Sequence, residues 1–369
     1  MATSQQTDRR QQQSDALPVR IQIMSDLHLE TPRFLPMYDT FTITPHAPHL
    51  ALLGDIGNAH DPRLYAFLET QLRQFEIVFY VLGNHEPCQL DHDDDGTALR
   101  AGVHDGDPLP EQEQEQRQEQ QGYEDAVRAM RRFEDAVEEE RRGEIARDGS
   151  GKASTGRFVF MDRRRFDISD NVTILGCTLF SHITPEQHPT ASLFVSDFSS
   201  IPSWTVDAHN ACHARDLAWL NDQVRALSAS LPPPPPPPPA QGAQQQQQQQ
   251  QQRREQKQRR RILILTHHSP TSDPRANDPE HLDDPRGVQS AFVTDLRGEP
   301  CWRSGGAVAA WAFGHTHFNC DFFSVDDDIN DDDGGGGDGA TKGKRVVANQ
   351  RGYGREDAYD FDAGKVIEI

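Results

Sequence analysis

Val19-Arg20-Ile21-Gln22-Ile23-Met24-Ser25-Asp26-Leu27-His28 sets how the rest of the chain is read. Val19, Ile21 and Ile23 alternate with polar neighbours, the period of a half-buried strand. The run delivers two metal-type side chains, Asp26 and His28, at its carboxyl end. The same pattern then recurs. His49–Leu53 ends at Gly54-Asp55, and Ile77–Leu82 ends at Gly83-Asn84-His85-Glu86. Ile262–Leu265 ends at Thr266-His267-His268, and Val308–Phe313 at Gly314-His315-Thr316-His317. Four of these five motifs follow an apolar run directly. Open α/β sheets place their sites at the carboxyl ends of strands.

The intervening segments fit such a sheet. Residues 62–74 read as a helix, with Asp61 as N-cap, Pro62 in the first turn, and Leu64, Phe67, Leu68 and Leu72 on one face. Strand, helix and strand over 49–82 make a βαβ signature. Tyr123, Val127, Met130, Phe133 and Val137 recur at helical spacing, as do Leu217, Leu220, Val224 and Leu227 within 215–227. Strands are expected at 158–161, 172–175, 344–348 and 365–369. Residues 1–18 read as a disordered polar tail. Residues 19–369 read as one domain carrying low-complexity insertions at about 91–121, 231–261 and 324–344. The second insertion joins Pro232–Pro239 to Gln244–Gln252, a stiff polyproline II rod and a polar tract with nothing to bury.

Composition narrows the function classes. No apolar run approaches the ~20 residues of a membrane-spanning helix. The stretch 1–20 is polar and Gln-rich, without the apolar core of a signal peptide. A cytoplasmic protein is expected, with a nuclear one as the alternative. The five cysteines are odd in number and show no Cys-x-x-Cys spacing, so a disulfide framework is not expected. Cys88 and Cys320 lie near the motifs and read as small buried side chains. The net charge is −21, and an acidic field opposes long polyanions such as nucleic acid. A small phosphorylated substrate or a phosphoprotein stays compatible, because bound divalent ions reverse the sign locally.

His, Asp and Asn suit two divalent ions drawn from Mn, Fe, Zn, Co or Ni. Asp26-x-His28 places two side chains on one side of an extended backbone, and His315-x-His317 does the same with two imidazoles. Asp55 follows a glycine at a strand end, where a carboxylate can bridge two ions. Asn84 offers a neutral amide oxygen. One of His267 and His268 is expected beside the site or facing solvent, and Glu86 is expected to face solvent. Other features read as bland. The Asp/Gly run 326–340 lacks the glycine and closing Glu of a calcium loop. The basic cluster within 253–261 reads as a solvated insert end. Arg351 either approaches a phosphate or sits exposed on a turn. His182, His188, His209 and His213 have no motif spacing.

The ordered set Asp26-Leu27-His28, Gly54-Asp55, Gly83-Asn84-His85-Glu86, His267 and Gly314-His315-Thr316-His317 resembles the calcineurin-like metallophosphoesterase superfamily, which includes serine/threonine-phosphatase-like enzymes. The resemblance spans residues 21–317. It implies an α/β fold, a two-layered β-sandwich flanked by helices, around a binuclear metal centre. One ion would be held by Asp26, His28, Asp55 and His317, the other by Asp55, Asn84, His267 and His315. It implies hydrolysis of a phosphate ester by a metal-bound hydroxide, with His85 as proton donor. Many members follow Gly-Asp with an Asp-Arg pair; here Ile56-Gly57-Asn58 stands instead. Two rival readings remain. One is a nuclease or cyclic-nucleotide phosphodiesterase on the same centre. The other is a non-catalytic metal-binding scaffold that recruits protein partners through its Pro/Gln insert.

Overall fold

The computed structural model describes residues 18–89, 122–149, 151–229, 260–279, 287–304, 306–324, 343–354 and 359–369. The expected tail and most of each low-complexity insertion lie outside the described residues.

Two sheets form. The first contains β1 (Arg20–Met24), β2 (His49–Leu53), β3 (Ile77–Val81), β4 (Arg157–Phe160) and β11 (Val366–Glu368), in the order β11-β1-β2-β3-β4. β1 to β4 run parallel and β11 pairs antiparallel with β1. The second contains β5 (Arg164–Asp167), β6 (Val172–Gly176), β7 (Arg261–Leu265), β8 (Val308–Phe313), β9 (Cys320–Ser324) and β10 (Lys344–Ala348). Its order is β5-β6-β7-β8-β10-β9, parallel in the middle with antiparallel strands at both edges. Parallel strands covered on both faces read as apolar runs. The burial of β2, β3, β6, β7 and β8 fits that rule.

The helices are α1 (Pro62–Leu72), α2 (Tyr123–Asp148), α3 (His188–Phe194), α4 (Asp197–Ser200) and α5 (Val206–Ala229). α1 starts where the sequence says it should: the Asp61 carboxylate accepts from the Arg63 amide, and Pro62 occupies the first turn. α5 begins nine residues earlier than the 215–227 stretch suggests.

Three apolar layers result. Ile21, Ile23, Ala51 and Val81 of the first sheet meet Leu263, Leu265, Ala312 and Val347 of the second. Leu52 and Tyr80, on the outer face of the first sheet, pack under Leu68 of α1 and Met130 of α2. Ile264 and Trp311, on the outer face of the second, pack under Leu220 and Val224 of α5. The expected helix-flanked two-layered sandwich is the observed fold. Two strands went unread, β5 and β9. Both are edge strands that alternate half-buried and exposed residues, and both carry Arg, Asp or Cys rather than an apolar run. Among the described residues no helix is long and apolar enough to cross a membrane.

Ile23 is fully buried between the sheets. Ile23→Ala should therefore lose about 2–5 kcal/mol, the transfer and cavity cost of a close-packed site. Urea unfolding of the whole chain reads this directly. A loss under about 1 kcal/mol would contradict a packed inter-sheet layer.

Candidate metal centre

Both sheets contribute to one site. β1, β2 and β3 end at Asp26, Asp55 and Asn84; β7 and β8 end at His267 and His315. Three groups of ligand atoms gather there, each within 4.8 Å: Asp26, His28 and His317; His28, Asp55 and His85; and Asp55, His267 and His315.

The backbone turns sharply to achieve this. Asp26, His28, Asp55, His315 and His317 all have positive φ, between 45° and 74°. That conformation costs a non-glycine residue of order 1–3 kcal/mol, and it persists where its surroundings over-determine it. Asp26 and His28 therefore do not share a face of an extended strand; they reach one point through a left-handed turn. His315 and His317 likewise fail to act as a pair. His315 belongs to the group with Asp55 and His267, and His317 to the group with Asp26 and His28. That division differs from what the spacing alone suggests.

Two glycines are needed for close approach. A Cβ on Gly83 would lie 2.1 Å from Asp55 Oδ1, and one on Gly314 would lie 2.6 Å from Asp26 Oδ2. The carboxylates pass over backbone that must be bare.

Glu86 overturns its expected place in solvent. It is fully buried. Its carboxylate accepts from the amides of Asp55 (3.2 Å), Ile56 (2.9 Å) and Gly83 (2.8 Å) and from the Tyr80 hydroxyl (2.8 Å). It thus clamps the ends of β2 and β3 together. Burial, with Asp55 adding to it, pushes Glu86 up to about 7.

His267 Nδ1 lies 2.8 Å from the Leu53 carbonyl, which can only accept, so Nδ1 carries the hydrogen. Nε2 of the neutral ring is then a lone pair. It faces Asn84 Oδ1 at 3.0 Å and Asp55 Oδ2 at 3.4 Å. The Asn84 amide nitrogen is turned away, donating to Asp197 Oδ1 at 3.0 Å. While the ring is neutral, three acceptors therefore converge with no hydrogen between them. The His315 Nε2 atom is buried and has no hydrogen-bond partner among the described residues. On the other side of Asp55, the Nε2 atoms of His28 and His317 face each other at 3.1 Å, with Asp26 Oδ1 3.4 Å from His317. Asp55 Oδ2 stands 3.9 Å from His28. Such a shell fits divalent cations of intermediate hardness.

Burial alone would lower His267, yet Asp55 raises it to about 9. Burial alone would raise Asp55, yet His267 and His85 hold it well below the usual carboxylate range. His315, farther from compensation, is pushed down to about 3 by burial and by the nearby His267.

His85 donates its backbone N–H to Asp55 Oδ1 at 2.8 Å. Its ring groups with His28 and Asp55, while Nδ1 lies 3.4 Å from Glu30 and Nε2 3.0 Å from the Tyr353 hydroxyl. Burial opposes its charge, but Asp55 and Glu30 raise it to about 10. The ring borders a cleft of about 620 Å³. Asp55, Asn84, His315 and His317 also line that cleft, and Phe194, Val288 and Phe292 form its walls.

Three residues here were missed in the sequence: Glu30, Asp197 and Tyr353. The Tyr353 ring stacks on His28 at 4.2 Å between centroids. It comes from the loop in which Arg351 drew attention. Arg351 itself is half-buried and donates to the Leu27 carbonyl, so neither suggested placement holds. His268 is buried against His315, and neither ring nitrogen has a hydrogen-bond partner among the described residues. His209 and His213 are buried core residues. Cys88 and Cys320 are half-buried rather than buried, and all five cysteines are free.

No family model matches this chain, and no curated protein does. Among solved structures it is similar to a phosphopantetheinyl hydrolase from Mycobacterium tuberculosis, with 14% identity over 95% of each chain and a TM-score of 0.51. A dimetal phosphatase from Danio rerio aligns at 12% identity over 91% of this chain and 88% of that one, with a TM-score of 0.33. At these identities the first likeness establishes the shared fold.

Gly83→Ala should displace the Asp55 carboxylate and reduce bound metal while leaving the sandwich folded. Metal analysis beside far-UV circular dichroism checks this. Undiminished metal binding in the folded variant would contradict the close approach.

Proposed function

We propose that the chain is a metal-dependent phosphoesterase of the calcineurin-like kind, acting on a small phosphate ester. The observation that carries this reading is the convergence of Asn84 Oδ1 and Asp55 Oδ2 on His267 Nε2, at 3.0 and 3.4 Å, next to a second cluster reached through the same Asp55. A hydrolase on the same fold, at a TM-score of 0.51, supports it by analogy only.

Asp26, His28, Asp55 and His317 would hold one ion; Asp55, Asn84, His267 and His315 the other. Two divalent ions supply Lewis acidity toward phosphoryl oxygens and make a water acidic enough to attack near neutral pH. The chain's own residues do the rest. Asp55 sits between the clusters and fixes their spacing. Asp197 holds the Asn84 amide so that its oxygen faces inward. His85 borders the cleft with Nε2 3.0 Å from the hydroxyl of Tyr353, another lining residue, and would give a proton to the departing alkoxide.

The cleft also speaks to substrate class. Among the described residues lining it there is no Lys or Arg, while Asp197 and Asp278 are present. With a net charge of −21, this favours one compact phosphate group over a long polyanion, and so disfavours the nuclease alternative. A scaffold that had lost catalysis would be expected to lack a ligand or His85, and none is missing. The chain reads as one phosphoesterase domain, 19–369, interrupted by its low-complexity segments. The Pro/Gln insert would serve protein partners rather than chemistry, in a cytoplasmic setting.

Asp55→Asn should lower bound metal below two ions per chain and nearly abolish turnover of a chromogenic phosphate ester. Full occupancy with a near-normal rate would sink the assignment. His85→Ala should keep both ions, yet lose about 10²–10⁴-fold on an alkyl phosphate, the usual contribution of general acid catalysis. A nitrophenyl ester, whose leaving group needs little protonation, should lose much less. Equal losses on the two esters would remove His85 from the acid role.

A further inference from the structure

We propose that Glu30 is a positioning residue that holds the Nδ1 sides of His28 and His85 with a single oxygen atom and so turns both Nε2 atoms toward the site. The role of His85 here rests on the phosphoesterase reading above; the geometry of Glu30 does not.

Glu30 Oε1 lies 3.3 Å from His28 Nδ1 and 3.4 Å from His85 Nδ1. An ionised carboxylate oxygen only accepts, and it has lone pairs enough for two donors. Both imidazoles must therefore carry a hydrogen on Nδ1. Both then present Nε2 to the site. For His28, Nε2 is a lone pair directed at the cluster with His317 (3.1 Å) and Asp55 Oδ2 (3.9 Å). For His85, Nε2 meets the Tyr353 hydroxyl (3.0 Å) at the cleft. The two rings stand edge to face at 74° with centroids 4.5 Å apart, as two donors reaching one acceptor from different sides require.

The carboxylate is well held from behind. The Leu29 amide donates to the Ile56 carbonyl and the Met37 amide to the Leu29 carbonyl, so the backbone before Glu30 is tied to the β2 end. Its other oxygen, Oε2, is buried with no hydrogen-bond partner among the described residues. The buried end of Glu30 is thus committed to the two imidazoles. A backbone carbonyl fixes one ring, as Leu53 does for His267. One carboxylate oxygen fixing two couples a ligand of one cluster to the proton donor of the same reaction. Carboxylates behind ligating histidines commonly act on tautomer and ring direction in this way.

Long-range ¹H–¹⁵N correlation of the histidine rings in the metal-free full chain tests this without turnover. His28 and His85 should both be protonated on Nδ1. Glu30→Gln, whose carbonyl still accepts, should keep that pattern. Glu30→Ala should lose Nδ1 protonation in at least one of the rings. In the metal-loaded chain, Glu30→Ala should weaken metal binding by about 10–100-fold, the usual effect of removing such a partner. It should also depress turnover of an alkyl ester more than that of a nitrophenyl ester, and Glu30→Gln should restore most of both. Adding Glu30→Ala to His85→Ala should cause no further alkyl-specific loss.

A wild-type spectrum with either ring lacking the Nδ1 hydrogen would overturn the proposal, even if Glu30→Ala failed to fold. So would a folded Glu30→Ala that keeps both tautomers, or that loses equally on both esters. If the wild-type chain hydrolyses neither ester, the phosphoesterase reading falls while the ring spectra still decide the role of Glu30.

Discussion

Lone pairs crowd around the Asp55 carboxylate, and the described side chains of the cleft bring no Lys or Arg to meet them. His267 offers Nε2 because its other nitrogen is committed to Leu53; Asn84 offers its oxygen because its amide is committed to Asp197. Burial makes such a cluster costly unless a cation completes it, since buried polar groups must be paired. Much nearby architecture follows from holding these acceptors together. Five left-handed residues, bare glycine backbone under two carboxylates, and the Glu86 clamp on three amides all work to that end.

The sandwich matters because neither sheet holds a complete set. The first sheet supplies Asp26, His28, Asp55, Asn84 and His85; the second supplies His267, His315 and His317. The apolar layer between Ile23 and Leu53 on one side and Leu265 and Ala312 on the other fixes how the two groups meet. Packing energy of the core is in this sense the force that holds the acceptors in place. The parallel order of the central strands puts all the motif-bearing ends at one edge.

Much of this was legible in the chain. β2 and β8 lie where their apolar runs do, because strands buried on both faces leave little ambiguity. α1 announced itself through Asp61 and Pro62. The motif residues were readable because each follows such a strand. What escaped depends on contacts between distant positions. Asp197 meets Asn84 across 113 residues and Tyr353 meets His85 across 268, and neither has local patterning to mark it. Glu86 was misread because a charged residue after a strand ordinarily points outward. Here three amides and the Tyr80 hydroxyl satisfy its charge inside. The Asp26–His28 pair was read as sharing one face of an extended backbone, and two left-handed residues break that alternation.

Anomalous X-ray scattering from crystals of the full chain soaked in manganese, recorded at the metal edge, tests the central claim most directly. Two peaks should flank the Asp55 carboxylate about 3.5–4 Å apart, the usual spacing of two-metal sites. One should lie beside His28 and His317, the other beside Asn84, His267 and His315. A single peak, or peaks away from Asp55, would contradict a centre built around that shared carboxylate.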